Sequence, residues 1–216
     1  MVARNPSVGS VDRLETAWGE LAGLGVLGSS WFTDATILLR TRTHIRSSDP
    51  LRRLATRLLG VETFEELEVP FQCVAACIER SAEHWFSSGP LVDAVLASSA
   101  VPGILPPIQI DGEHFIDGGI VNSVPLDRAI ALGADTIFVL HVGRLDRPLS
   151  VPRRLRDVAM VAFEIARRNR FVRELENLPD GVSVHVLPTG DPRPPAYNDL
   201  TQLRYRNFRG SDRRIA

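Results

Sequence analysis

Apolar residues recur three and four positions apart over five segments of the chain, a pattern that predicts amphipathic helices. These segments are 11–24, 50–59, 90–100, 125–134 and 152–176. Prolines stand at the start of the second, third and fourth segments, where their fixed backbone angle suits a first helical turn. Each such helix must bury its apolar face against another layer of structure.

Apolar and β-branched runs between these helices predict the strands. Residues 71–78 and 83–86 predict a strand and a return strand, and residues 182–188 predict a last one. Two short alternating runs flank an Asp-Gly pair at 111–112, which predicts a tight hairpin. Residues 136–143 are nearly all apolar, which is typical of a strand buried on both faces. Because strands alternate with helices, we predict a layered α/β fold with a mostly parallel central sheet.

The longest predicted helix carries arginines largely away from its apolar stripe. The stripe is predicted to consist of Leu155, Val158, Ala162 and Ile165. The arginine face could meet anionic lipid head groups, and a solvated helix face is the alternative. Earlier in the chain, residues 25–49 are polar and are expected to form a loop or a mobile cap.

The composition fits one globular domain and argues against several classes of protein. The chain has 216 residues, of which 44% are hydrophobic, and its net charge of −1 gives no reason to expect a nucleic-acid partner. No apolar run approaches the roughly 18 residues of a transmembrane segment. Cys73 and Cys77 lie on one predicted strand, about 13 Å apart and beyond disulfide reach. Two buried free thiols are therefore expected.

The segment 96–135 carries the candidate chemistry. An apolar strand run ends in an Asp-Gly-Gly triplet at 117–119, after an Ala-Ser-Ser-Ala-x-Pro-Gly run at 97–103. Asn122 and Pro125 follow the triplet. The triplet alone would be a simple turn, because Asp and Gly are common turn residues. The ordered set over the whole segment resembles the family of patatin-like phospholipases, and this resemblance covers residues 1 to about 190.

The resemblance implies a three-layer α/β/α fold and a Ser-Asp dyad, in which an aspartate activates a serine with no histidine between them. The resemblance gives Asp117 the role of catalytic base, and it places Gly118, Gly119 and Asn122 in the active-site loop. A partly desolvated carboxylate at a strand end is a better proton acceptor, and the glycines allow a sharp turn. For Asn122, a local Asx turn is the alternative. No metal and no organic cofactor is implied.

The serine of that dyad is missing, because no G-x-S-x-G occurs in the 216 residues. A Gly-rich loop able to supply oxyanion-hole amides is also missing from them. In the resembled family both elements precede the region matched here. We therefore expect residues 1–216 to form a single patatin-like hydrolase domain that lacks its N-terminal nucleophile and oxyanion segment. A start codon misplaced at Met1 is favoured over a shortened protein.

Other polar residues are weaker candidates for catalysis. Ser98 and Ser99 lack the spacing of a nucleophile elbow, and their hydroxyls are expected to cap or brace the adjacent loop. The histidines show no metal-ligand spacing. They are His44, His84, His114, His141 and His185. His141 and His185 are expected in the core, and His114 is expected to be a solvated turn residue.

Two functions of different classes remain open. The first is a serine lipid acyl hydrolase that acts on phospholipid or another acyl ester, cytoplasmic and in peripheral contact with a membrane. The second is a truncated, non-catalytic protein of the patatin fold that binds lipid or a protein partner. A third and weaker hypothesis is an unrelated esterase that uses Ser99.

Overall fold

The computed structural model describes residues 1–23, 44, 47–140, 148–152 and 155–187. These residues form two compact units, and the boundary between them falls after Val121. Most of the polar segment predicted as a loop or cap lies outside the described residues, as does His141.

The described residues of the first unit form three α-helices, each close to a predicted one. They are α1 at Val8–Gly23, α2 at Asp49–Leu59 and α3 at Leu91–Ser98. Short 3-10 helices lie at Val2–Arg4, Phe64–Glu66 and Gly118–Ile120. In α1, Ser10 and Ala17 are buried, and Val11 is exposed.

Four strands of the first unit form one sheet in the order β2-β1-β4-β3. The strands are β1 at Cys73–Cys77, β2 at Ala82–Phe86, β3 at Ile108–Ile110 and β4 at Glu113–Asp117. Every pairing is antiparallel, so the prediction of a mostly parallel central sheet is wrong for this sheet. The physical reason is the short chain between β1 and β2 and between β3 and β4. Such short links join antiparallel strands only.

The hairpin between β3 and β4 turns at Asp111 and Gly112, as predicted. Both residues have positive φ, 49° and 85°. A two-residue turn with both central residues in this region matches the right-handed twist of the strands, which explains the preference for Asp-Gly. The turn fixes the register that places Ile108 opposite Phe115.

Helix α3 packs on this sheet and closes the core of the first unit. Buried members of this core include Ala75, Cys77, Leu91, Leu96, Ala97 and Phe115. Burial of a side chain such as Phe115 contributes about 1.5–3 kcal/mol relative to exposure. Cys73 and Cys77 are both free, as predicted, although Cys73 is only partly buried. Burial raises the pKa of the Cys73 thiol to about 12.

In the second unit, the part that the structure describes forms two helices and two paired strands. They are α4 at Leu126–Ala131, β5 at Thr136–Leu140, α5 at Leu155–Glu176 and β6 at Ser183–Leu187. Strands β5 and β6 are parallel, which confirms the predicted direction for this pair. Burial alternates along β5, and Phe138 and Leu140 are 61% and 80% exposed. The prediction that this strand is buried on both faces is therefore wrong.

The long helix α5 presents a different face to the core than the predicted stripe. Val158 and Ile165 of that stripe are 48% and 54% exposed, while Val161 and Phe171 are buried. Phe171 packs in the core of the second unit with Leu126, Ile137 and Val139. No helix formed by the described residues has the length and apolar character of a bilayer span.

Candidate active site

Asp117 occupies the last position of strand β4, at the point where the sheet ends. Its Cα lies opposite that of Ala75 on β1, and its N–H donates to the carbonyl of Ala100 at 3.0 Å. Ala75 and Ala100 are both fully buried. The backbone of Asp117 is therefore fixed from two sides by segments that are distant in sequence.

The Asp117 carboxylate is held through one of its two oxygens. The N–H of Gly119 donates to Oδ1 at 2.7 Å, which makes Asp117 the N-cap of the 3-10 helix Gly118–Ile120. Oδ2 makes no hydrogen bond with the rest of the described chain. One oxygen thus orients the side chain and leaves the other able to accept a proton.

Burial raises the pKa of the Asp117 carboxyl above its ordinary value, and the hydrogen bond from the Gly119 N–H opposes that rise. A carboxylate with a raised pKa is a stronger proton acceptor than an exposed one. This is the property required of a base that must remove the proton of a hydroxyl group.

Gly118 lies where no larger residue fits. A Cβ at this position would overlap the carbonyl oxygen of Val74 and lie 2.6 Å from its carbonyl carbon and 2.7 Å from its Cγ1. The obstacle is the backbone of β1, which cannot rotate away as a side chain can. The glycine therefore allows the chain after Asp117 to turn against the sheet.

Asn122 opens the second unit and is 2% exposed. Its Nδ2 donates to Oδ1 of Asp127 at 3.0 Å, and Oδ2 of Asp127 accepts from Arg170 at 2.9 Å. Arg170 also donates to Glu174 at 2.8 Å. Sequence reasoning missed the pairing of Asp127 with Arg170, because partners 43 residues apart leave no local pattern. The spacing of Arg170 and Glu174, four residues apart on one helix, is a signal that could have found that pair. The role of Asn122 in an active-site loop remains a prediction.

A groove of 630 Å³ lies beside this network within the second unit. Polar residues line most of it, among them Asp127, Asn169, Arg170, Arg173, Glu174 and Asn177. Two acidic and two basic side chains face it, so the charges of its lining balance.

Ser99 is engaged in a structural contact. Its Oγ donates to the carbonyl of Val95 at 2.6 Å, one turn earlier in α3. This bond caps the end of the helix, as expected for a residue that braces the following loop. The geometry gives no support to Ser99 as a nucleophile.

The described histidines occupy varied settings. His114 lies on β4 and is only partly exposed, so the prediction of a solvated turn residue is wrong. Its Nδ1 lies 2.7 Å from Oε1 of Glu79. Hydrogen bonds from the backbone and ring of His114 hold the pKa of Glu79 at about 2. His185 is exposed and stacks on Phe138 with a centroid distance of 5.1 Å, so the prediction of a core residue is wrong. No three acidic, His or Cys side chains of the described residues cluster as metal ligands.

The raised pKa of Asp117 predicts how the Asp117→Asn substitution changes stability. Folding disfavours the charged form of Asp117, so its pKa is higher in the folded than in the unfolded protein. The protein is therefore most stable with respect to this group below the unfolded pKa, and it loses free energy of unfolding as pH rises through the folded pKa. The asparagine side chain would keep an oxygen for the Gly119 N–H and carry no charge. For Asp117→Asn we expect a melting temperature higher by about 1–4 °C at pH 7, with no gain at pH 3. Thermal unfolding followed by circular dichroism at both pH values tests this; a lower melting temperature at pH 7 would contradict it.

Comparisons with known proteins match the part of the chain that contains these residues. A family model described as patatin-like phospholipase matches residues 6–130, which include Asp117, Gly118, Gly119 and Asn122. A lysophospholipase nte1 of Aspergillus fumigatus is 30% identical over 122 residues, which are 56% of this chain and 8% of that protein. An uncharacterized NTE family protein of Mycobacterium tuberculosis is 35% identical over 85 residues, which are 39% of this chain and 24% of that protein. The matched region is thus a small part of each relative.

Proposed function

The chain belongs to the patatin-like phospholipase family, and on that premise we propose that it is the greater part of a lipid acyl hydrolase with Asp117 as its general base. The observation that carries the proposal is the state of this carboxylate. It is partly buried at a strand end, one oxygen is fixed by the Gly119 N–H, and the other is available. The relative named lysophospholipase supports an acyl ester of a phospholipid or lysophospholipid as the substrate.

The proposed reaction proceeds in two steps. A serine hydroxyl attacks the acyl carbonyl carbon while Oδ2 of Asp117 takes its proton. The tetrahedral intermediate collapses, the alcohol leaves with that proton, and an acyl-serine remains. Asp117 then takes a proton from water, which attacks the acyl-serine. The second tetrahedral intermediate collapses as Asp117 returns this proton to the serine oxygen, and the fatty acid and the free serine are released. No cofactor enters this sequence.

The serine is proposed to come from polypeptide encoded upstream of Met1, since the 216 residues contain no G-x-S-x-G. The same proposal includes a single domain of three α/β/α layers, in which this polypeptide also supplies the oxyanion hole. A cytoplasmic enzyme in peripheral contact with a membrane would suit a lipid substrate. Family membership and the geometry of Asp117 support these points.

A non-catalytic protein of the same family is the second candidate. The observation in its favour is again the missing serine motif, together with a Ser99 hydroxyl that is already bonded to Val95. Such a protein would bind lipid or a protein partner and would catalyse no reaction. The codons upstream of Met1 separate the two candidates, because an in-frame G-x-S-x-G favours the enzyme and an in-frame stop favours the binding protein.

Serine-directed labelling tests the proposed dyad directly. A fluorophosphonate probe should label the protein extended by its upstream codons and should leave the 216-residue chain unlabelled. The control is Ser99→Ala in the extended protein, which should label as strongly as its parent because Ser99 caps a helix. Labelling of the 216-residue chain that Ser99→Ala removes would contradict the proposal and support the esterase hypothesis.

A further inference from the structure

The 3-10 turn at 118–121 has a buried residue at each end. Gly118 begins the turn and is buried, and Asn122 directly follows the turn and is 2% exposed. Between them, Ile120 is 42% exposed, so the middle of the turn gains little stability from packing. The position of Gly119, whose N–H orients the proposed base, therefore depends on how firmly the two ends of the turn are held.

The two ends of this turn are held by different kinds of contact. Gly118 lies directly against the backbone of Val74, so its position is set by close packing. Asn122 is held by a polar contact, because its Nδ2 donates to Oδ1 of Asp127 at 3.0 Å. A buried amide that loses its acceptor is left without compensation for the water it gave up on folding. The Asp127 carboxylate therefore fixes the end of the turn at Asn122.

The Asp127 carboxylate is itself held at both oxygens. Its Oδ1 also accepts from the N–H of Arg128 at 2.8 Å, and its Oδ2 accepts from Nη2 of Arg170 at 2.9 Å. Nε of Arg170 donates in turn to Glu174 at 2.8 Å, one turn further along α5. The carboxylate cannot turn away from Asn122 without breaking bonds to both α4 and α5. Asp127, Arg170 and Glu174 are here called the Asp127 network.

The exposure of this network indicates a role in orientation more than in stability. The side chains of Asp127 and Arg170 are 45% and 38% exposed, and ion pairs so open to solvent contribute little to stability. Their geometry is nevertheless specific, since each group makes bonds to two different partners. Such a network directs the side chain that it binds without adding much to the free energy of unfolding.

We propose that the Asp127 network positions the carboxylate of Asp117. By holding Asn122, the network fixes the end of the turn at 118–121. The turn then keeps the N–H of Gly119 on Oδ1 of Asp117 and leaves Oδ2 available. This inference rests on the proposed function, in which that carboxylate is the general base. Asp127 and Arg170 are thus positioning residues that act through the chain.

Amide exchange and titration of the 216-residue chain test the network without any need for activity. Asp127→Leu removes the acceptor of Asn122, keeps a side chain of similar size, and suits a helix at least as well. The N–H of Gly119 should exchange with solvent about fivefold faster, as measured by NMR. The pKa of Asp117, followed through the chemical shift of its carboxyl carbon, should rise further, because the hydrogen bond that opposes the rise is weakened.

Two arginines of α5 provide a matched pair of variants. Arg170 binds Asp127 and Glu174, whereas Arg173 forms no ion pair with another described residue. Arg170→Met should speed the exchange of the Gly119 N–H about two- to threefold and change the melting temperature by less than about 2 °C. Arg173→Met should leave both quantities as in the parent. A purely structural contribution of Arg170 would change the melting temperature and leave the Gly119 N–H as it was.

The protein extended upstream of Met1 provides the kinetic test. Asp127→Leu should lower kcat by about 10–100-fold and leave KM within about twofold, because the base is displaced while the substrate site is kept. The acid limb of the pH–rate profile should move to higher pH, since the pKa of Asp117 rises. Asp127→Asn keeps an oxygen that accepts from Asn122, so this variant should recover most of the parent's rate.

Two results would overturn the proposal. The first is an Asp127→Leu chain that is folded by circular dichroism, with the Gly119 N–H and the Asp117 titration unchanged; if that variant does not fold, an unchanged Gly119 N–H in Arg170→Met decides in the same way. The second is an Arg173→Met effect as large as that of Arg170→Met. Exchange and titration involve no hydrolysis. Unchanged exchange beside intact fluorophosphonate labelling would therefore remove the network alone, and failed labelling beside faster exchange would remove the enzyme alone.

Discussion

Replacing Asp117 by asparagine in the protein extended upstream of Met1 is expected to lower kcat for ester hydrolysis by about 10²–10⁴-fold. The amide oxygen can still accept from the Gly119 N–H, so the side chain should keep its orientation. It cannot take a proton from serine or water, so the chemical step fails while substrate binding remains. Steady-state hydrolysis of a soluble short-chain ester, with kcat and KM measured separately, gives the answer.

The matched control for this variant is Asp111→Asn. Asp111 lies in the hairpin turn at φ 49°, a conformation that asparagine also tolerates, and β4 separates it from Asp117. We expect its activity to stay within about twofold of the parent. Because burial raises the pKa of Asp117, the acid limb of the parent's pH–rate profile should lie above the range of an exposed aspartate. Full activity of Asp117→Asn would remove this carboxylate from the mechanism.

Replacing Gly118 by alanine is expected to be among the most damaging single changes in the first unit. The added methyl group would meet the carbonyl of Val74, and either β1 or the segment after β4 would have to move. We expect a loss of about 3 kcal/mol or more of unfolding free energy, at the upper end for an overpacked site. Urea unfolding of the 216-residue chain, followed by circular dichroism, measures this loss without any need for activity.

Gly9→Ala is the matched control for Gly118→Ala. Gly9 lies in α1, and no heavy atom approaches within 4 Å of the position its Cβ would take. Alanine favours the helix over glycine by up to about 1 kcal/mol, so this variant should be as stable as the parent or more so. The same substitution is thus expected to have opposite signs at the two positions. Equal stability of the two variants would show that the approach of Val74 to Gly118 does not constrain the chain.

Local sequence signals predicted the elements that local chemistry determines. The Asp-Gly pair at 111–112 forms the hairpin because both residues tolerate positive φ. Prolines mark the starts of α2, α3 and α4. The sequence places Asp117 at a strand end because an apolar run stops there. Its contacts with Ala75 and Ala100 could not be read from the sequence, since they join segments 42 and 17 residues away along the chain.

The relative direction of the strands and the buried face of the helices were predicted less well than the helices and strands themselves. Alternating strands and helices suggested a parallel sheet, but the link at 78–81 is too short for the crossover that parallel strands need. The length of this link can be read from the sequence, and it indicates the direction of the paired strands better than the order of helices and strands does. In α5, apolar residues lie on two faces, and periodicity cannot choose between them. Glu164 could lie on the inner face because two arginines neutralise it.

The geometry of β4 also offers a practical route to observing the site. The hairpin tip at Asp111 and Gly112 and the carboxylate of Asp117 lie at opposite ends of this five-residue strand. Five residues of strand extend about 17 Å, and exposed turn tips tolerate chemical additions. A dye attached at the tip would therefore report on the site from about 17 Å away along the strand, without contact with the carboxylate.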